Sequence, residues 1–236
     1  MNPTLELTKE LISRESITPS DEGCQELIAD RLEAINFTIE HMPFGEVKNL
    51  WATYGDSGPL FVFLGHTDVV PTGPIEDWSH DPFSPTEKEG FLYGRGAADM
   101  KGSVAAFVTS IEDFMSENKS EIKGRIGVLL TSDEEGPAVN GVVKVAEALN
   151  NRKEKIDWCL VGEPTATKKL GDVIKIGRRG SIGMEIKIFG VQGHIAYPHK
   201  AKNPIHLATA AINEISKLNW KDETGQFQDS VLQISN

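Results

Sequence analysis

The apolar run Leu60-Phe61-Val62-Phe63-Leu64 leads without a break into Gly65-His66-Thr67-Asp68. Residues two apart on an extended strand end point the same way. His66 can therefore bind a cation while Asp68 stands beside it, accepts a hydrogen bond from the ring and fixes its tautomer. Two other apolar runs end in a similar way: Ile126–Leu130 is followed by "TSDEE", with Asp133, Glu134 and Glu135, and Ile156–Val161 by "GEPT", with Glu163. Asp99, in "GRGAADMKG", stands at a helix start, where unpaired backbone amides favour an anion. No lysine or arginine lies within the strand-end motifs. Carboxylates gathered on one rim repel unless something positive sits among them, and a divalent metal is the natural counter-charge. Histidine and carboxylates without thiolate suit zinc, cobalt or manganese. Glu134 and Glu135 are neighbours and diverge, so one can bind metal while the other stays free as a general base above a water that the metal makes acidic. The plainer readings are a surface histidine, a capping aspartate and a glutamate that caps the next helix.

The elements that must position these residues follow from periodicity. Asn2-Pro3 reads as a cap and first-turn proline ahead of Leu7, Leu11 and Ile12 at helical spacing. A second helix carries Leu27, Ile28, Leu32 and Ile35. "FTIEHM" and "NLWATYG" read as strands, and "GDSGP" as the turn into the Leu60 run. Residues 69–90, with Pro71, Pro74, Pro82 and Pro85, read as a long functional loop. Ala97–Met115 then reads as a helix, "RIGVLL" as a buried strand, Val139–Leu149 as a helix and "IDWCLV" as another buried strand. This alternation predicts an α/β fold: a mainly parallel sheet covered by helices on both faces. In such sheets ligands gather outside the carboxyl ends of the strands, the rim where the acidic motifs fall.

After "GRRG" the texture changes. "SIGMEIKIF" alternates with period two, a helix is expected from about Ile205 to Leu218, and "DSVLQIS" reads as a further strand. The boundary is drawn at residue 179, giving a catalytic domain over 1–179 and the first half of a smaller α+β lid or dimerisation domain over 180–236. The net charge of −11 over 236 residues argues against a nucleic-acid partner, which would need a basic face. No apolar run approaches the ~20 residues that cross a bilayer, and the mixed-charge N-terminus lacks an apolar signal core. The expectation is a cytoplasmic protein with Cys24 and Cys159 as free thiols.

The stretches "GHTDVVPTG", "LYGRGAADMKG", "TSDEEGPA" and "VGEPT", in this order and spacing, resemble the M20 family of metallo-aminoacylases and peptidases, and the likeness continues through "GRRGSIG" and "GHIAYPHKAKNP". Within that family, "EDWSHDPFSP", "GRGAADMKGS" and "GHIAYPHKAKNPIH" are most similar to the branch that removes succinate from N-succinyl-diaminopimelate, on the route to lysine and cell-wall diaminopimelate. A sister deacylase acting on acetylornithine shares the chemistry, and a non-catalytic binding or assembly role is the reading from a different class. The resemblance implies two zinc ions per subunit, one site open to cobalt. It assigns His66 and Glu163 to one ion, Glu135 to the other and Asp99 to both. It makes Asp68 the residue that orients His66, and Glu134 the general base. It also implies a cis peptide bond after Asp99 and a homodimer in which His194 supplies an oxyanion donor to the other subunit. Arg178 is the candidate contact for a carboxylate of the substrate. His41, His80, His199 and His206 are not expected to be ligands.

Family members continue beyond this stretch and draw a further histidine for the second ion from a later segment. On that basis the 236 residues are expected to hold one metal at most and to hydrolyse substrate poorly.

Overall fold

The computed structural model describes residues 2–118, 122–177, 180, 182–225 and 227–234. Two compact units emerge, Met1–Asp172 and Val173–Asn236.

The first unit is built on a five-stranded sheet whose strands run, from edge to edge, Thr38–His41, Asn49–Tyr54, Arg125–Thr131, Leu60–His66 and Trp158–Val161. Its strands are β1 (Thr38–His41), β2 (Asn49–Tyr54), β3 (Leu60–His66), β6 (Arg125–Thr131) and β7 (Trp158–Val161); β4 (Thr86–Lys88) and β5 (Phe91–Tyr93) form a separate hairpin. β3 runs parallel to both β6 and β7, whereas β2 is antiparallel to β1 and to β6. The sheet is thus mixed, with a parallel heart. Short connections reverse the chain between β1 and β2 and between β2 and β3, and such links cannot make a parallel crossover.

Helices cover both faces. α1 (Pro3–Ile12), α2 (Cys24–Ala34) and α3 (Gly102–Asn118) pack Leu7, Leu11, Ile28, Leu32, Val104 and Val108 on one side. α4 (Val142–Asn151) packs Val145 and Leu149 on the other. The period-two rule divides β6 accordingly: Val128 and Leu130 join the first cluster and Leu129 the second. Asn2 caps α1 as expected, its Oδ1 accepting from the amides of Thr4 and Leu5 at 3.0 and 3.3 Å. No helix among the described residues is long and apolar enough to cross a membrane.

Three local expectations are corrected. β7 is not buried: it is an edge strand, and Trp158, Leu160 and Val161 are exposed. An apolar run reports hydrophobicity and not which neighbours cover it. Ala97–Lys101 is not regular helix, because Asp99 and Met100 leave helical backbone geometry, and α3 begins at Gly102. In the second unit neither "SIGMEIKIF" nor "DSVLQIS" forms a strand among the described residues. Only isolated bridges occur there, Val191–Lys202 and Trp220–Ser230. Alternation equips a segment for a sheet face, but a strand also needs a partner edge. The expected helix does form, as α5 (Pro204–Ile215), capped by Asn203 Oδ1 on the amide of Ile205 at 2.9 Å.

Candidate metal centre

The parallel register sets His66 of β3 beside Thr131 of β6. The residues that follow β6 therefore emerge on the same rim as His66, and β7, paired to the other side of β3, delivers Glu163 there. Asp99 arrives from the irregular turn before α3. The separate segments do converge. His66 Nε2 lies 3.1 Å from an Asp99 carboxylate oxygen and 3.3 Å from one of Glu163. Potential ligand atoms of His66, Asp99 and Glu135 all lie within 4.8 Å of one another, and so do those of His66, Glu134 and Glu163. Both Glu134 and Glu135 thus reach the cluster. The Asp99–Met100 peptide is cis.

His66 and Asp68 are buried, while Asp99 is half exposed at the mouth. The imidazole Nδ1 faces the main-chain carbonyl of Asp68 at 2.9 Å, with the Asp68 carboxylate 3.5 Å away. With Nδ1–H committed to that carbonyl, Nε2 is the ring atom left to bind an ion. The Asp68 carboxylate has a second task that the spacing did not reveal. It accepts hydrogen bonds from the amides of Glu134 (3.2 Å) and Glu135 (3.1 Å), so it ties the end of β3 to the loop after β6. Asp133 closes the same loop, accepting from the amides of Ala138 at 3.1 Å and Asn140 at 3.0 Å.

The electrostatics reflect crowding of like charge. Burial pushes the Glu163 carboxyl up to about 7; the charge of His66 opposes this, and those of Asp99 and Glu134 add to it. Glu135 is raised as well, by burial and then by Asp99. Burial works against a charged His66, but its hydrogen bonds to Asp68 and the charge of Glu163 prevail and hold its pKa at about 9. Carboxylates that resist ionising beside one another, around an imidazole nitrogen aimed at them, form a donor set suited to a hard or borderline divalent ion.

The N-terminal segment binds these motifs together. Ser16 Oγ donates to the Thr67 carbonyl at 2.7 Å, Val69 N to the Ser16 carbonyl at 2.9 Å and Thr18 N to the Val69 carbonyl at 3.0 Å. Thr67 Oγ1 donates to the buried Asp21 carboxylate at 2.6 Å, and Ser132 Oγ to the Pro19 carbonyl at 2.8 Å. Lys101, fully buried two residues after Asp99, donates to the carbonyls of Leu11 and Arg14, each at 2.8 Å. The strap from Leu11 to Asp21 thus touches the His66, Asp99 and Glu134 segments at once. Nothing in the spacing of Asp21 or Lys101 pointed to this; a charged residue inside an apolar helix pattern was the available signal.

Of the other candidates, His194 lies in the second unit, exposed, its Nδ1 accepting from the amide of Ala196 at 3.1 Å. Arg178 falls outside the described residues. His41 ends β1, and His80 packs edge-on against Tyr93.

A mixed α/β sheet with a histidine–carboxylate cluster at the carboxyl ends of its parallel strands is an arrangement that can hold a divalent metal ion. The chain belongs to peptidase family M20/M25/M40, whose model matches residues 62–228. It is 56% identical over all 236 residues to the succinyl-diaminopimelate desuccinylase of Xylella fastidiosa (strain 9a5c) and covers 62% of that protein. It is 57% identical to the succinyl-diaminopimelate desuccinylase of Hahella chejuensis, again over 236 residues, covering 61% of it. The chain thus spans about 62% of the length of the curated relatives it matches. Among solved structures, an aminopeptidase from Bacillus cereus superposes with a TM-score of 0.62 at 18% identity, over 90% of this chain and 56% of that one. An M20 family metallo-carboxypeptidase from Sulfolobus solfataricus gives 0.61 at 23% identity, over 69% and 37%. These two share the fold.

Proposed function

We propose that this chain carries most of the active site of a zinc-dependent amide hydrolase that removes succinate from N-succinyl-LL-2,6-diaminopimelate, in lysine and diaminopimelate biosynthesis. The observation that carries the reading is the convergence of His66, Asp99, Glu134, Glu135 and Glu163 on one rim, in a chain 56% identical to a desuccinylase from end to end. In this reading residues 1–179 form the catalytic domain and 180–236 part of the lid or dimerisation domain. The protein works in the cytoplasm as a homodimer, with two metal ions per subunit, zinc in both or cobalt in one.

His66 and Glu163 would hold one ion and Glu135 the other, with Asp99 available to both. Bound metal supplies polarisation of the amide carbonyl and an acidified water. Glu134, its backbone amide fixed by Asp68, takes the proton from the attacking water and returns it to the leaving amine. Asp68 holds the His66 ring through its own carbonyl and the Glu134–Glu135 loop through its carboxylate. His194 donates to the oxyanion that forms in the other subunit of the dimer, which is worth ~3 kcal/mol where such a donor has been removed elsewhere. Arg178 pairs with a substrate carboxylate.

The test is succinate release from N-succinyl-diaminopimelate by the protein that carries this chain, run beside N-acetylornithine. The expected result is preference for the succinyl substrate, and loss of turnover by roughly 10²–10⁴-fold in Glu134→Gln with zinc content unchanged. Undiminished turnover in Glu134→Gln would refute the assignment of the base, and preference for the acetyl substrate would refute that of the acyl group.

A further inference from the structure

Met100 follows Asp99 directly and is fully buried. Its side chain lies where β3 and β7 part. The two strands are paired up to Leu64 and Val161, and Gly162 N still donates to the Leu64 carbonyl at 3.0 Å. Further along β3, the amide of His66 donates to Met100 Sδ, at 3.4 Å. Thioether sulfur has taken the place of a strand carbonyl.

Two glycines make room for it. A Cβ on Gly65 would stand 2.7 Å from Met100 Cε and 3.3 Å from Sδ, and a Cβ on Gly162 would stand 2.6 Å from the same Cε. The methyl group sits against both glycines, so a Cβ at either position would have to displace it. Phe63, stacked on Phe107 at 4.2 Å, crowds the same place: its Cζ would lie 2.6 Å from a Cβ added to Gly162. Gly65 immediately precedes His66, Gly162 immediately precedes Glu163, and Met100 immediately follows Asp99. One side chain is therefore wedged beside the backbone of three members of the cluster. An ordinary core methionine is pliable and tolerates exchange; this one occupies the space that a methyl group at Gly65 or Gly162 would need.

We propose that Met100 is a positioning residue: its thioether, inserted between Gly65 and Gly162, sets the spacing of His66, Asp99 and Glu163 and so tunes their affinity for a divalent ion. The inference rests on the metal reading of these side chains given above.

The experiment is a zinc titration of the full chain and of Gly65→Ala, Met100→Ala, the double variant and Met100→Leu, with the visible absorption of the cobalt-loaded proteins as a readout of ligand geometry and circular dichroism as the check on folding. Gly65→Ala should weaken zinc by about tenfold or more, the range seen when groups that orient metal ligands are lost. In the Met100→Ala background, where the atoms it collides with are gone, the same change should cost less than about threefold, the mark of direct coupling. Gly65→Ala folding only in the Met100→Ala background supports the proposal equally. Met100→Leu conserves volume and should fold, yet it removes the sulfur that holds the His66 amide, and should shift the cobalt spectrum and weaken zinc. Equal losses from Gly65→Ala in both backgrounds would overturn the proposal, as would a Met100→Leu protein with wild-type affinity and spectrum. If Gly65→Ala unfolds in both backgrounds, Met100→Leu decides by the same criterion. A wild-type chain that binds no zinc overturns the metal reading and this inference together; zinc-binding wild type with uncoupled variants overturns this inference alone.

Discussion

Replacing Lys101 with methionine separates the strap's contribution to stability from the chemistry of the rim. The ammonium is buried, and its bonds to the carbonyls of Leu11 and Arg14 are 2.8 Å each. Leu11 belongs to the last turn of α1, where the helix dipole welcomes a cation. A hydrogen bond from a charged donor contributes about 1.5–3 kcal/mol, so the gross loss is roughly 3–6 kcal/mol. Two features reduce it. The carbonyls keep other partners, Arg14 N on Leu11 at 3.2 Å and Ser16 N on Arg14 at 2.8 Å, so neither is orphaned. Burial of the ammonium is itself unfavourable, as its lowered pKa reflects, and methionine removes that cost. The net expectation is a loss of about 2 kcal/mol. In urea unfolding, with a slope of about 1–3 kcal/mol/M, the midpoint should fall by roughly 1 M. A midpoint within error of wild type would refute the view that Lys101 fastens the Asp99 turn to the N-terminal segment.

Three further outcomes follow from other contacts. Asp133→Ala removes the acceptor for two backbone amides in a buried setting and should cost about 3 kcal/mol in the same urea assay; an unchanged midpoint would contradict the loop-closing role. The amides of Thr167 and Lys168 hold the Asp172 carboxyl down at about 2. Its folded pKa is below its unfolded value, so its contribution to stability is complete above about pH 4 and is lost as pH falls through about 2; carboxyl resonances followed by NMR should titrate there, and a midpoint near 4 would contradict it. Cys24 is buried with its thiol pushed up to about 11, whereas Cys159 is exposed, so an alkylating reagent at neutral pH should modify Cys159 first and reach Cys24 only with unfolding; mass spectrometry of the labelled peptides checks the order.

Much of the rim was legible because three apolar runs in one chain end in acid or histidine, and topology turns strand ends into one edge. His66, Glu135 and Glu163 come together for that reason, and Asp99 joins them from the turn before α3. What the pattern concealed depends on three-dimensional neighbours. Asp68 was expected to serve the imidazole with its carboxylate; that carboxylate stands 3.5 Å from Nδ1, but the nearer acceptor is the Asp68 carbonyl at 2.9 Å, and the carboxylate also holds the Glu134–Glu135 loop. Met100 looked like an ordinary member of a helix, and Lys101 offered only its charge within an apolar pattern, because contact with Arg14, Gly65 or Gly162 leaves no mark on periodicity. β7 has the composition of a core strand and lies exposed at an edge, since composition does not state which surfaces are covered.

The central claim, that the acidic segments converge to bind a cation, is tested most directly by locating the metal. Crystals of the chain grown with zinc, with anomalous diffraction collected at the zinc edge, should show an ion roughly 2.0–2.2 Å from His66 Nε2 and from oxygens of Asp99 and Glu163. A rim without anomalous density in crystals that bind zinc elsewhere would contradict the account.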